Sequence, residues 1–322
     1  MRSATCKACF YSAIKRRALT LIELVVVVAI ASIVLSISLP AVQAARETAR
    51  QSECQNNLRQ ISLGAHQFHS THRRLPTNGW GFSWVGTATR GVDKHQPGGW
   101  IFQLLPYLEQ DALYQTTKVQ NAIDHRAALG RLTQAPFALM KCPTRPTGSM
   151  GVQSTIFTYR NAETFSMVTR TDYAVNEGDW ISNTGPGPNS DATVDVSNYP
   201  WIDVSKVTGV SWERGSVFLE EITDGTSHTY LIGEKRISDS PTEWGHDQSM
   251  FSGVDLDTTR WTVSAPGPDG KLAEPDERRF GSAHYAGCSM SMCDGSVRVV
   301  TYSIHPNLHR GIGNRKDGKI DN

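Results

Sequence analysis

An apolar run occupies the N-terminal part of the chain, from Leu19 to Leu39. Its polar members are few: Thr20, Glu23, Ser32, Ser36 and Ser38. A helix over this run would be roughly 32 Å long, because each residue adds about 1.5 Å, and that length suits the hydrocarbon core of a bilayer. The pattern therefore predicts a membrane-spanning helix that carries a single charged residue, Glu23.

The sequence after this run predicts that the helix continues past Pro40. Between residues 41 and 72 there is no further proline, and Gly64 is the one glycine. Apolar residues recur there at spacings of four, three, four and three: Cys54, Leu58, Ile61, Ala65 and Phe68. Such spacings place side chains on one face of a helix. We therefore predict one long helix, kinked at Pro40, with a membrane half and an amphipathic half.

The remainder of the chain has the composition of an irregular, strand-rich domain. After Gly79 it is rich in Gly, Pro, Asn, Asp and Trp, which is typical of short strands and loops. A short helix is predicted over 100–114, and strands are predicted over 216–221 and 229–234. The predicted class is α+β, with the long helix packed on an antiparallel β-sheet domain that has irregular loops.

A hairpin is predicted near the C-terminus. The alternating residues 288–293 are followed by Asp294-Gly295, a pair that favours a two-residue turn. With that turn, Met290 would face Val299 on one side of the hairpin.

The cysteines divide between the basic N-terminal segment and the rest of the chain. Four lie beyond residue 18: Cys54, Cys142, Cys288 and Cys293. Cys288 and Cys293 point to opposite faces of one predicted strand, because successive side chains alternate. Any disulfide would therefore use Cys54 or Cys142. Cys6 and Cys9 form a C-x-x-C in the basic N-terminal segment, but no second pair accompanies them, and we expect neither a metal nor a cofactor.

The charge is distributed unevenly. Residues 1–18 contain five basic and no acidic residues, and the rest of the chain contains 27 basic and 31 acidic ones. A mildly acidic body argues against nucleic acid as a partner, since phosphate binding needs a basic surface. Basic residues before an apolar span favour a cytoplasmic N-terminus and an extracytoplasmic C-terminal domain.

The segment from Arg16 to Glu23, RRALTLIE, resembles the cleavage site of type IV prepilins and type II secretion pseudopilins. The resemblance implies that a prepilin peptidase cuts between Ala18 and Leu19 and methylates the new amino group of Leu19. It also implies that Glu23, the fifth mature residue, helps to dock a subunit into an assembly. The family usually has Gly where Ala18 stands and Phe where Leu19 stands.

Several later segments resemble successive blocks of a prepilin-like family of unknown function. The blocks include residues 54–76, 98–114, 172–179, 221–234 and 280–297. The C-terminal H-x9-D-G motif of that family corresponds here to His284, Asp294 and Gly295, for which we expect a structural role, with His284 hydrogen-bonded to the turn at Asp294. The resemblance implies a pilin-like architecture.

These features divide the chain into four predicted segments. They are a basic leader (1–18), a transmembrane and assembly helix (19–39), its amphipathic continuation (40–75) and an extracytoplasmic globular domain (76–322). Two other fates of the N-terminus stay open: a secretory signal cut after Ala44, and an uncleaved anchor that begins at Met1.

The functional hypothesis is a pilin-like or pseudopilin-like structural protein that passes the cytoplasmic membrane once, with the cell surface as a second expected location. Its expected partners are prepilin peptidase, the cytoplasmic membrane and like or related pilin subunits. The alternative is a membrane-anchored protein that does not polymerise and binds glycans or another surface ligand through its Trp-bearing loops. No nucleophile, metal or phosphate-binding motif is present in the sequence, so we do not expect an enzyme.

Overall fold

The structure is a computed structural model that describes residues 20–145, 150–153, 158–183, 185–191, 199–238, 244–270 and 278–318. The predicted leader, with Ala18 and the adjoining Leu19, lies outside these residues. The chain forms two compact units, Met1–Thr48 and Ala49–Asn322. Helix α1 (Leu21–His72) contributes residues to both units.

In the first unit, α1 is an apolar helix whose side chains are exposed. Pro40 lies inside the helix, as expected from the continuation of helical sequence past it. The Ser32 and Ser36 hydroxyls donate hydrogen bonds of 2.8 Å to the carbonyls of Val28 and Ile33. The helix therefore satisfies these polar groups internally, as a segment in lipid must do. This helix is long and apolar enough to cross a membrane.

In the second unit, α1 buries the predicted apolar stripe. Cys54, Leu58, Ile61, Ala65 and Phe68 are all fully buried. On the opposite side of the same turns, Leu63 keeps 59% of its surface exposed. Four members of the stripe, namely Leu58, Ile61, Ala65 and Phe68, pack into the main hydrophobic cluster of this unit.

The centre of the second unit is a five-stranded sheet. Its strands are β3 (Tyr173–Asn176), β6 (Tyr230–Glu234), β7 (Thr259–Arg260), β10 (Cys288–Met292) and β11 (Val297–Val300). Their order across the sheet is β11-β10-β6-β3-β7, and within this sheet only the β3–β7 pair is parallel. Two-stranded sheets are formed by β1 (Met150–Val152) with β2 (Met167–Thr169), β4 (Ser211–Trp212) with β5 (Gly215–Ser216), and β8 (Gly267–Pro268) with β9 (Gly281–Ser282).

The three inner strands of the five-stranded sheet are buried along their whole length. Val175 and Leu231 belong to the cluster that contains the α1 stripe. Ala174 and Met290 belong to a second cluster. The sheet is therefore covered on both faces, which confirms the α+β class with a long N-terminal helix.

Four further helices are described: α2 (Trp100–Leu104), α3 (Asp111–Gln115), α4 (Ala122–Thr133) and α5 (Pro306–Gly313). The predicted single helix over 100–114 is wrong, because α2 passes into a 3₁₀ turn over Leu105–Tyr107 and ends before α3. Pro106 lacks a backbone N–H, and Glu109 takes a left-handed φ of 58°. The sequence prediction missed α4 and α5.

The strand predicted over 216–221 is also wrong. Residues Leu219–Glu221 form a 3₁₀ turn, in which the Glu221 carboxylate accepts a 2.9 Å hydrogen bond from the Phe218 N–H. This local bond turns the chain away from an extended path. The strand predicted over 229–234 is confirmed as β6.

The C-terminal hairpin forms, but with a register one residue away from the predicted one. Met290 lies opposite Arg298, and Ser289 lies opposite Val299. The loop has three residues rather than two, since the Gly295 N–H donates to the Met292 carbonyl at 2.9 Å. Gly295 has a φ of 86°, as the last residue of a three-residue hairpin loop requires.

Candidate functional site

Four side chains of the kinds that bind metals come together in the second unit: Cys54, Cys142, Glu234 and His284. Their ligand atoms all lie within 4.8 Å of one another. Cys54 lies on α1, Glu234 ends β6, and His284 lies in the loop between β9 and β10. Cys142 follows the 3₁₀ turn over Ala138–Met140. Separate parts of the chain therefore build one buried cluster.

The distances within this thiol cluster are short. The two sulfur atoms of Cys54 and Cys142 are 2.9 Å apart. The Nε2 atom of His284 lies 3.3 Å from the Cys54 sulfur and 3.5 Å from the Cys142 sulfur. The same Nε2 atom is 3.5 Å from Oε1 of Glu234. No member of the cluster is more than 2% exposed.

Neighbouring groups hold three of the four residues in place. The backbone N–H of Cys142 donates to the Asp172 carboxylate at 2.7 Å, and the N–H of Ser289 donates to Oε2 of Glu234 at 2.7 Å. The hydroxyl of Tyr302 donates to the backbone carbonyl of His284 at 2.6 Å. These bonds leave the reactive atoms pointing at one another.

Two cations near the cluster are paired with carboxylates. Lys141 Nζ lies 3.0 Å from Asp172, and the Arg145 guanidinium bonds to Asp269 at 2.8 Å. Arg145 also lies 3.3 Å from Asp172. These ion pairs fix the segment that carries Cys142.

The pKa values within the cluster are displaced in different directions. The hydrogen bond from the Cys54 thiol, together with His284, lowers the pKa of Cys142. The same hydrogen bond raises the pKa of Cys54, since that thiol must keep its proton to donate it. Burial, and then the charge on Cys142, raises the pKa of Glu234 to about 7. The negative charge of the cluster therefore lies first on Cys142, while Cys54 and, below about pH 7, Glu234 keep their protons.

The cluster contains the two cysteines that the sequence singled out, together with Glu234 and His284, which the sequence did not connect to them. Cys54 and Cys142 were the predicted disulfide candidates, and their sulfur atoms are adjacent. Cys288 and Cys293 belong to two different hydrophobic clusters, as expected for side chains on opposite faces of a strand. A disulfide between Cys54 and Cys142 stays a prediction.

The H-x9-D-G motif does not form a single site. His284 precedes β10 and Asp294 follows it, so the five-residue strand holds them apart by roughly 13 Å or more. The Asp294 carboxylate accepts a 2.8 Å hydrogen bond from the Ser296 N–H, within the hairpin loop. The expected hydrogen bond between His284 and the turn is therefore wrong, because each end of the motif serves a different structure.

Glu23 forms the other candidate site, at the start of α1. Its carboxylate accepts hydrogen bonds of 2.8 Å from the backbone N–H and the hydroxyl of Thr20. The Thr20 hydroxyl accepts a 3.3 Å bond from the Glu23 N–H. This reciprocal pair is a capping box, and its signature, T-x-x-E, is readable in the sequence. The sequence prediction assigned Glu23 to assembly but missed Thr20 as its partner within the chain.

The N-terminal sequence defines the class of the protein. A family model described as "Prokaryotic N-terminal methylation motif" matches residues 14–39. This motif implies processing by prepilin peptidase, and with the long apolar helix it is consistent with membrane anchoring. The chain belongs to the family described as "Protein of unknown function (DUF1559)", whose model matches residues 43–307. The resemblance to a prepilin-like family of unknown function is thereby confirmed. No curated protein and no solved structure matches the chain.

Proposed function

We propose that the protein is a pilin-like structural subunit that contributes to a cell-envelope filament or a secretion-related assembly. Prepilin peptidase would cut between Ala18 and Leu19, and α1 would pass the cytoplasmic membrane with the C-terminal domain outside. The observation that carries the proposal is a methylation motif over residues 14–39, which includes the first part of a helix with exposed apolar side chains. The role proposed is structural rather than enzymatic.

The exposed apolar face of α1 supports packing of like or related subunits. Leu21, Ile22, Val25 and Ile33 each expose more than half of their surface. In water such a surface would be costly, at about 25 cal/mol for each Å². Lipid covers it in the membrane, and the helices of neighbouring subunits cover it in an assembly. An apolar helix of this kind can therefore serve first as an anchor and then as an assembly core.

Glu23 supplies a directional contact within that apolar core. In the single chain its carboxylate bonds to Thr20, which lowers the cost of placing it in an apolar segment. In the assembly we propose that it pairs with the methylated amino group of Leu19 on a neighbouring subunit. Opposite charges attract strongly where water is excluded, so the pair would set the depth at which a subunit docks.

Two substitutions separate charge pairing from helix capping. Glu23→Val removes the charge and the cap, whereas Glu23→Gln removes the charge and keeps a residue that can complete a capping box. Charge pairing requires that both variants reach the membrane and that both fail to assemble. Glu53→Gln, at an exposed position of the same helix, is the matched control and should assemble normally.

The measurement is the amount of subunit recovered in sheared filaments and in cross-linked subunit pairs from membranes, relative to total membrane subunit. Normal assembly of Glu23→Gln alongside failure of Glu23→Val would mean that Glu23 acts as a cap. Normal assembly of both variants would contradict any role for Glu23 in docking.

The alternative, a surface ligand-binding protein that acts through exposed tryptophans, gains no specific support. Trp80, Trp100 and Trp261 are at most 1% exposed and are unavailable for stacking on a sugar. Trp180, Trp201 and Trp212 are half-buried, and a cationic side chain of the same chain lies over each of their rings. We therefore make no second proposal from these residues.

A further inference from the structure

We infer that Cys54, Cys142, His284 and Glu234 form a structural Zn²⁺ site that fixes α1 to the central sheet of the second unit. The inference concerns the second unit alone and does not depend on polymerisation. It departs from the expectation, drawn from sequence, that the chain binds no metal.

The ligand set is one that zinc prefers. Zn²⁺ binds thiolate sulfur, imidazole nitrogen and carboxylate oxygen, usually four of them in a tetrahedron. Two thiols, one imidazole and one carboxylate converge here. Thiolate ligands also disfavour Mg²⁺ and Ca²⁺, which bind oxygen.

The spacing of the donor atoms suits a tetrahedral ion. Bonds of about 2.0–2.3 Å place the ligand atoms of zinc about 3.3–3.8 Å from one another. Three of the distances that involve Nε2 of His284 are 3.3, 3.5 and 3.5 Å. The two sulfur atoms are 2.9 Å apart. They would have to separate by about 0.9 Å to bind one zinc ion, and small rotations of the two cysteine side chains provide this.

A second observation, independent of the spacing, also points to a cation. Oε1 of Glu234 is buried and has no hydrogen-bond partner among the residues that the structure describes. Burial of an unsatisfied carboxylate oxygen is costly, and Lys141 and Arg145 already pair with Asp172 and Asp269. A disulfide between the cysteines would leave only the imidazole of His284, 3.5 Å away, to face this oxygen. A divalent cation satisfies it.

The site is closed, which assigns it a structural role. Catalytic zinc keeps one position open for water or substrate, whereas structural zinc has four protein ligands. Here four side chains surround the centre, and none is more than 2% exposed. On binding, the protons held on the thiols and on the Glu234 carboxyl are released to solvent, because the metal binds thiolate and carboxylate ligands.

The bound ion would join distant parts of the chain. Cys54 and Cys142 are 88 residues apart, and His284 follows Cys142 by a further 142 residues. The ion binds where the fold has brought these distant positions together, so its binding free energy favours the folded chain. The metal would thereby tie α1 to the end of β6 and to the loop before β10.

The test uses the full-length chain in detergent, purified under reducing, metal-free conditions and then loaded with Zn²⁺ or Co²⁺. We expect about one Zn²⁺ per chain by elemental mass spectrometry, and a thiolate-to-Co²⁺ charge-transfer band in the absorption spectrum. Cys142→Ser and Glu234→Gln should lower the affinity at least tenfold. Cys288→Ser, which replaces a fully buried cysteine outside the cluster, should bind like the wild type.

If the cysteine variant does not fold, the Co²⁺ spectra of the wild type and of Glu234→Gln still test whether the thiol cluster binds a metal ion. The inference is overturned if the wild type binds less than stoichiometric metal. It is equally overturned if Co²⁺ binds without a charge-transfer band, or if Cys142→Ser folds and binds as tightly as Cys288→Ser. Recovery of a Cys54–Cys142 disulfide and no metal from freshly isolated envelopes would replace the metal site with a covalent cross-link.

Discussion

Three glutamates occupy positions where a carboxylate is costly, and each has a different environment. Glu23 lies in the apolar part of α1 and bonds to Thr20. Glu234 lies at the thiol cluster, where Oε1 faces three possible ligands of one metal ion. Glu177 is fully buried, and the Ser182 hydroxyl is the hydrogen-bonding group beside its carboxylate. Only the first of these was noticed in the sequence.

The Glu177 carboxyl should make stability depend on pH. Burial, and then the nearby Glu213 carboxylate, raises its pKa to about 8 in the folded chain, above the ordinary value of 4.5. The folded state therefore keeps a proton that the unfolded state releases above about pH 4.5. The protonated Glu177 carboxyl therefore contributes fully to stability below pH 4.5, and this contribution is lost as pH rises through 8.

Glu177→Gln should remove that loss. Between pH 5 and pH 8 the free energy of unfolding of the wild type should fall, whereas that of the variant should not. The difference between the two should therefore grow by on the order of 2–5 kcal/mol. Denaturant unfolding at several pH values measures it. Glu220→Gln, at an exposed position, should change nothing, and identical pH profiles for Glu177→Gln and the wild type would contradict the assignment.

At the scale of elements, α1 has a buried and an exposed side within the second unit. Leu58 is fully buried in the main cluster, and Leu63 is 59% exposed. Leu58→Ala should therefore lower the free energy of unfolding by about 2–5 kcal/mol through lost burial and a residual cavity. Leu63→Ala should change it by less than about 0.5 kcal/mol.

Tryptophan fluorescence during denaturant unfolding of the full chain measures both leucine variants. All eight tryptophans follow residue 79, so the signal reports the second unit. Equal losses for the two variants would contradict the assigned faces of α1.

The predictability of each element depends on whether its determinants are local. The α1 stripe could be predicted because its apolar residues recur at the helical period, and these are the residues that the fold buries. The hairpin register could not be predicted, because groups distant in sequence hold the loop. The N–H groups of Cys293 and Asp294 donate to the carbonyls of Thr229 and Thr226 at 2.9 and 3.0 Å. A two-residue turn was the better local choice, and these contacts favour the three-residue loop.

At the scale of the whole molecule, the N-terminal motif was readable and the thiol cluster was not. The motif is a short contiguous segment, so its residues need no fold to come together. The cluster joins residues that the five-stranded sheet and α1 bring into contact, and no spacing in the sequence links Glu234 to either cysteine. The sequence did single out Cys54 and Cys142, by elimination of the cysteines on β10 and its turn.

The central claim is that the chain is processed as a prepilin. Mass spectrometry of the N-terminal peptide of the mature protein, isolated from membranes, tests it most directly. Prepilin processing requires a peptide that begins at Leu19 and carries an N-methyl group on that residue. A mature protein that begins at Met1, as an uncleaved anchor would, or at Ala45, as a secretory signal would leave it, contradicts the claim.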